Sequence, residues 1–224
     1  MNAPSKLTVR VEGGEVPVHL PGSEEARDFP GLVVIPSIFG PASDLLRGLA
    51  SLSDAALVVV MDPFWRAEAG AIPYADRDAA FGRLRGFDLE ACFADTLCVI
   101  EWIRERCNGR VAGLGICFGG PVVLHAAADG ALDGVVTWHG SRMENFLGRA
   151  DQITCPLRLH FGEADPVSPP EAIAKIKLAF AAHPNASFVV HPGLVHGYSH
   201  EGESYDEVAA RSDLEATREF LASL

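Results

Sequence analysis

The sequence has no apolar run of the kind a membrane span needs. Nowhere in its 224 residues does a stretch approach the roughly 20 consecutive apolar side chains that cross a bilayer. The opening segment, MNAPSKLTVRVEGGEV, carries no long apolar core behind its first charge, so no export signal is expected there. CxxC pairs are also missing. Cys92, Cys98, Cys107, Cys117 and Cys155 are odd in number and unpaired in spacing, which argues against a disulfide scaffold or a paired-cysteine metal clasp. Free thiols in a reducing cytoplasm are the expectation. Positive charge is scarce: 18 Lys and Arg stand against 30 Asp and Glu, a net −12. With no basic patch, a general nucleic-acid binder is excluded, and an anionic substrate would need a local cation against the acidic field. Repeats, low-complexity tracts and long linkers are absent, so residues 1–224 are expected to form one domain. At this length a domain buries roughly 70% of its unfolded surface and needs no staple.

What is present is an alternation of apolar runs and helix-like stretches. Residues 6–12 and 15–20 alternate in polarity around Gly13-Gly14, the pattern of an opening hairpin. Short continuous runs rich in Val and Ile at 31–37, 56–62, 110–117, 133–140, 156–163 and 186–193 read as buried parallel strands. Between them, residues 88–106 place Leu89, Phe93, Leu97, Ile100 and Ile103 at helical spacing behind a capping Asp88. Small apolar residues at 120–129 suit a helix packed closely on a sheet. Residues 170–182 follow Ser168-Pro169, a cap and first-turn signal, and residues 205–223 form an amphipathic closing helix. This βαβα order predicts an α/β fold, a mostly parallel sheet of about eight strands with helices on both faces. Ligands in such sheets sit beyond the carboxyl ends of the strands, so residues just after strands are the ones to inspect.

The most specific of these is Gly115-Ile116-Cys117-Phe118-Gly119-Gly120, between a strand and a small-residue helix. A nucleophile elbow needs that layout: a strained turn holds the nucleophile, and the residues two before and two after it must be small. The helix N-terminus also favours a thiolate. A phosphate cradle fits less well, because the register is not GxGxxG and no GK[ST] follows. The elbow fold orders its residues nucleophile, acid, base. Asp165, in the loop after the run at 156–163, is the candidate acid, with Glu163 as its competitor. His196, in a Gly-flanked loop after the last apolar run, is the candidate base. His191 and His200 flank it, so a histidine metal cluster is conceivable. The Gly and Pro around them deny the helical i, i+4 face that would make such a cluster chelate, and neither a metal nor another cofactor is expected. His19, His125, His160 and His183 read as packing or surface residues, whereas His139 follows a strand end and could line a pocket.

With these residues in place the chain resembles the dienelactone hydrolase family, α/β-hydrolases with a Cys-His-Asp triad. The resemblance rests on IPSIFG (35–40), FDLE (87–90), GLGICFGG (113–120), FGEADPVSPP (161–170) and HPGLVHGY (191–198). It implies Cys117 as nucleophile, His196 as base and Asp165 as orienting acid, with an oxyanion hole at the backbone N–H groups of Phe118 and Ile38. It also implies substrate contacts at Arg77, Ser37, Trp138, His139 and His200. The family typically has a Glu where this chain has Ser37, and an Arg where it has His200. Trp138 and His139 replace an aromatic pair. The implied activity is hydrolysis of an ester or lactone through a cysteine acyl-enzyme, on a small substrate that can bear a carboxylate, by a monomer, with a dimer as the alternative. A general esterase or thioesterase, or a biosynthetic acyltransferase or cyclase, could use the same triad. A small-molecule receptor or a redox-sensing thiol protein are the non-enzyme alternatives.

Overall fold

The computed structural model describes residues 5–224. Residues 1–4, part of the segment inspected for an export signal and of the expected 1–224 domain, lie outside the described residues. No helix among the described residues is long and apolar enough to cross a membrane.

Eight strands form one sheet. The hairpin strands β1 (Ser5–Val11) and β2 (Gly14–Leu20) are antiparallel, and β2 runs antiparallel to β4 (Leu57–Met61). The remaining pairings are parallel: β4 with β3 (Gly31–Ile35), β3 with β5 (Val111–Ile116), then β6 (Gly134–Trp138), β7 (Leu157–Gly162) and β8 (Ala186–His191). The order across the sheet is β1-β2-β4-β3-β5-β6-β7-β8. Strands β3, β4, β5 and β6 are buried at every position, as continuous apolar runs require when helices cover both faces. The last run reads like these but forms an edge: β8 has one neighbour, and its residues are partly exposed.

Helices α3 (Leu89–Arg104), α4 (Gly119–Ala128) and α5 (Pro170–Ala179) close one core, in which Phe93, Ile100, Val123, Ile173 and Ile176 meet Val33, Val59 and Leu159. On the opposite face α1 (Ser43–Leu49) and α6 (Glu207–Ala222) pack Leu46, Leu49, Phe220 and Leu221 against Val34, Leu114 and Val136. Asp88 caps α3 by accepting from the Ala91 N–H, and Asp206 caps α6 from Ala209. The expected Ser168 cap of α5 is not formed. The Ser168 hydroxyl donates to the Gly140 carbonyl, and two prolines, Pro169 and Pro170, start the helix instead. Two short helices, α1 and α2 (Arg77–Gly82), have too few turns to carry a readable period.

Candidate active site

Cys117, Asp165 and His196 sit just beyond the carboxyl ends of β5, β7 and β8, and Ser37 and Ile38 follow β3. Cys117 has φ 52°, a left-handed conformation that a side-chain-bearing residue adopts only under constraint. The constraint is the approach of strand to helix. A Cβ on Gly115 would lie against the Gly119 carbonyl and 2.7 Å from the Gly120 Cα, and one on Gly119 would strike the Ile35 carbonyl. Two bonds fix the turn: the Cys117 N–H donates to the Trp138 carbonyl (3.1 Å), and the Cys117 carbonyl accepts from Ser141 N–H (2.8 Å).

From this elbow the sulfur meets His196. Sγ lies 3.1 Å from Nε2, and on the far side of the ring Nδ1 lies 2.7 Å from Asp165 Oδ2. The other Asp165 oxygen accepts from the backbone N–H groups of Val167 and Ser168, which fixes the carboxylate in a side-chain turn. Glu163 lies apart from the histidine and accepts from Gly193 N–H. Burial by itself would push the Cys117 thiol up. The hydrogen bond and charge of His196, the Ser141 hydroxyl and the Phe118 N–H outweigh it and leave the thiol below its ordinary range. Burial would likewise lower His196, but hydrogen bonds to Asp165 and Cys117 raise it to about 10. Both shifts favour the thiolate–imidazolium form of the pair over the neutral one.

Neither the Phe118 nor the Ile38 N–H donates to a backbone carbonyl among the described residues. Phe118 is the residue after the elbow cysteine, and its N–H faces Sγ. Ile38 is held in a tight turn in which the Ser37 hydroxyl accepts from Phe39 N–H and the Ser37 carbonyl from Gly40 N–H. That hydroxyl is therefore engaged with the turn and not with the sulfur. Ile38 and Phe39 pack with Ile72, Ala80 and Phe118 into a small apolar wall.

Three of the expected substrate contacts sit differently. The Trp138 indole lies in the core beside α6, its Nε1 donating to Thr217 Oγ1, because Trp138 shares strand parity with Val136. The cavity it borders, about 170 Å³, lies between α1 and α6 with Leu49 and Leu214. His139 is fully buried behind the His196 ring. Its Nε2 is 2.7 Å from Ser199 Oγ, its ring is edge-on to His196, and burial holds it neutral, well below the usual histidine range. His200 stacks on Tyr74 at 4.5 Å, and burial, with help from the charges of His196 and Arg77, lowers it to about 4 despite Asp44. At neutral pH it is not a cation, so it cannot replace an arginine in gripping a carboxylate. Arg77 is exposed at the start of α2, close enough for its charge to act on His200, and forms no ion pair among the described residues.

Sequence reasoning missed two groups. Ser141 Oγ lies 3.1 Å from Cys117 Sγ and 3.3 Å from His196 Nε2; a serine two residues after a histidine at a strand end carries no distinctive signal. The second is a buried network around Asp213 of α6. Its Oδ1 accepts from His160 Nδ1 (2.7 Å) and His191 Nε2 (2.8 Å), and its Oδ2 from the Tyr198 hydroxyl (2.8 Å). His191 thus turns away from His196 and His200. The atoms of His160, His191 and Asp213 are close enough to surround an ion. They are instead matched as donors to one carboxylate, which burial raises and these hydrogen bonds bring below its ordinary range.

An eight-stranded sheet with this strand order, a cysteine on a strand-to-helix elbow, and loops after later strands that bring Asp165 and His196 to it define an α/β-hydrolase. Comparison with known proteins gives the family. The dienelactone hydrolase family model matches residues 16–224, and the chain belongs to that family. Carboxymethylenebutenolidase 1 of Cupriavidus pinatubonensis is 29% identical over 220 residues, covering 95% of this chain and 93% of that protein. A carboxymethylenebutenolidase from a Pseudomonas species is 31% identical over 180 residues, 77% of this chain and 75% of the relative. Among solved structures, a dienelactone hydrolase-like promiscuous phosphotriesterase from metagenomic libraries superposes with TM-score 0.80 at 21% identity, covering 99% of this chain and 98% of that one. Thermogutta terrifontis esterase 2 superposes with TM-score 0.72 at 15% identity, covering 100% and 95%. These two likenesses concern the fold. Membership of the family makes the chain a hydrolase acting on ester or lactone bonds.

Proposed function

We propose that the chain hydrolyses a small ester or lactone through a thioester on Cys117, with His196 as the proton carrier and Asp165 as its orienting acid. The observation that carries this is the unbroken line Asp165 Oδ2–His196–Cys117 Sγ, at 2.7 and 3.1 Å on an elbow cysteine of positive φ. The thiolate adds to the carbonyl carbon, and the oxyanion falls toward the N–H groups of Phe118 and Ile38. Each donor of this kind is worth ~3 kcal/mol of barrier. The intermediate collapses, the C–O bond breaks, and the alkoxide takes the proton from His196 Nε2. Water then gives a proton to Nε2 as its oxygen adds to the thioester. The C–S bond breaks, its electron pair returns to Sγ, and the carboxylic acid leaves. Esters and lactones suit this thiolate because an alkoxide departs more readily than an amide nitrogen.

The name of the relatives, carboxymethylenebutenolidase, supports a butenolide-type lactone as substrate. Arg77 supports a carboxylate on it, since it is a cation at the rim without an ion pair among the described residues, in a chain of net charge −12. A cytoplasmic location fits the five free cysteines. The test is turnover of p-nitrophenyl acetate and of a butenolide by wild type and Cys117→Ala, with intact mass spectrometry of the quenched wild-type reaction. An acyl adduct on Cys117 and loss of turnover in the variant are expected. Unchanged turnover in Cys117→Ala would overturn the proposal.

A further inference from the structure

We propose that Ser141 is a further catalytic residue, its hydroxyl donating to the resting Cys117 sulfur and holding the thiolate that attacks the ester. This rests on the assignment of Cys117 as nucleophile. The three atoms form a closed triangle: Ser141 Oγ to Sγ 3.1 Å, Sγ to His196 Nε2 3.1 Å, Nε2 to Ser141 Oγ 3.3 Å. A hydroxyl has one proton to give and two lone pairs to offer. Here both neighbours are matched. The imidazolium Nε2–H can be shared between Sγ and Oγ, and the hydroxyl proton has the thiolate as its acceptor.

The site is built and not incidental. The Ser141 backbone N–H is bonded to the carbonyl of Cys117 itself, at 2.8 Å, which ties the two residues together. On one side the Gly140 carbonyl is tied down by the Ser168 hydroxyl (2.8 Å); on the other Arg142 takes a left-handed turn, φ 52°, and Met143 is fully buried. Ser168 shows what a structural serine does in this loop, bonding to backbone. Among the described residues the side-chain partners of Ser141 are the two reacting groups alone. The other nearby hydroxyl, Ser37, is engaged with Phe39 N–H. Ser141 therefore supplies a polar side-chain contact to the resting sulfur, and it does so without a negative charge that would oppose ionisation.

The Ser141 proton stays on its oxygen throughout. In the resting enzyme it stabilises Sγ⁻. Once the thioester forms, sulfur carries no charge and is a poor acceptor, and the hydroxyl is left beside Nε2 where water is activated. When the C–S bond breaks, the electron pair returns to a sulfur that already has its donor in place.

The titratable groups that face this sulfur are His196 directly, Asp165 behind it, His139 edge-on to the His196 ring and His200 beyond. A profile of thiol reactivity against pH reads them together, so the comparison is between variants. The second-order rate of Cys117 alkylation by iodoacetamide should be measured across the pH range for wild type, Ser141→Ala and Ser141→Thr. One hydrogen bond to a charged acceptor predicts that the Ser141→Ala profile is displaced toward higher pH, with a rate about tenfold lower on the acid limb, converging with wild type at high pH, whereas Ser141→Thr, which keeps the hydroxyl, tracks wild type. A Ser141→Ala profile that superimposes on wild type would overturn the proposal, as would an equal loss in both variants, which would mark a steric role. Alkylation reads the sulfur alone. Failure of the ester reaction would show separately, as turnover that survives Cys117→Ala.

Discussion

Replacing Asp213 by Ala should unfold the protein at a markedly lower temperature and disarm the base before it does so. Asp213 is fully buried and accepts from His160, His191 and Tyr198. Deletion leaves three donors without an acceptor. Tyr198 is completely buried and His160 nearly so; the His191 side chain retains 13% exposure and could recover a water. A stranded buried donor costs roughly 1–3 kcal/mol, and breaking a buried charged pair about 3–5 kcal/mol. The two fully enclosed donors alone place the loss at about 4 kcal/mol. For a domain of this size each kcal/mol moves the midpoint by about 2–4 °C, so a fall of roughly 10 °C is expected in thermal unfolding followed by circular dichroism. His191 and Tyr198 bracket the loop carrying His196, so kcat at 25 °C should fall while most of the protein is still folded. A midpoint within about 2 °C of wild type would refute the reasoning, because it would mean that those donors find other partners at no cost.

Other expectations follow from the site. Asp165→Asn should reduce kcat by about 10³–10⁴, the loss typical when a triad imidazole is held in the wrong tautomer. Its fold should persist, since Asn can still accept from Val167 and Ser168; a kcat within tenfold of wild type would count against Asp165 as the orienting acid. Cys117 is lowered and His196 raised to about 10, so kcat should begin to rise below the free-thiol range, falling on the acid side as the thiolate is protonated and again near pH 10. An activity rising steadily toward the free-thiol range would contradict the ion pair. His200 titrates near 4 in the folded protein and near 6.5 when unfolded. Between those values the unfolded chain binds the proton that the folded one refuses, so this contribution is complete above pH 6.5 and is lost as pH falls toward 4. His200→Gln should flatten the melting-temperature profile in that window, and the KM of a carboxylate-bearing ester should stay level from about pH 5.5 to about 8. Gly115→Ala should cost about 1–3 kcal/mol through the clash at the elbow, read as a lower unfolding midpoint.

The parts of this protein legible in its sequence are those set by local pattern. Continuous Val and Ile runs announce buried strands, and two glycines flanking Cys117 announce the elbow, because the same short-range sterics that build these features choose the residues. The order Cys117, Asp165, His196 follows from topology and was equally readable. The electrostatic state of His200 was not, since it depends on burial against Tyr74 and Phe39, more than a hundred residues away in the chain. Trp138 could have been placed by strict alternation: it shares a face with Val136, and that face belongs to α6. Asp213 looks like one more charge on an amphipathic helix. Its partners His160 and His191 lie 53 and 22 residues away, and no spacing links them.

The glycine frame around Cys117 has a consequence for how such a protein can change. A side chain at Gly115 or Gly119 meets backbone at its first carbon, so the turn must shift to take one. Cys117, between them, is the residue of the turn whose side chain meets His196. Heritable variation is therefore channelled: the scaffold resists substitution at the residues that do no chemistry and leaves open the single position that does. A lineage carrying this frame can exchange sulfur for oxygen in one codon step and keep its fold, while a conservative Gly-to-Ala drift two residues away costs it stability.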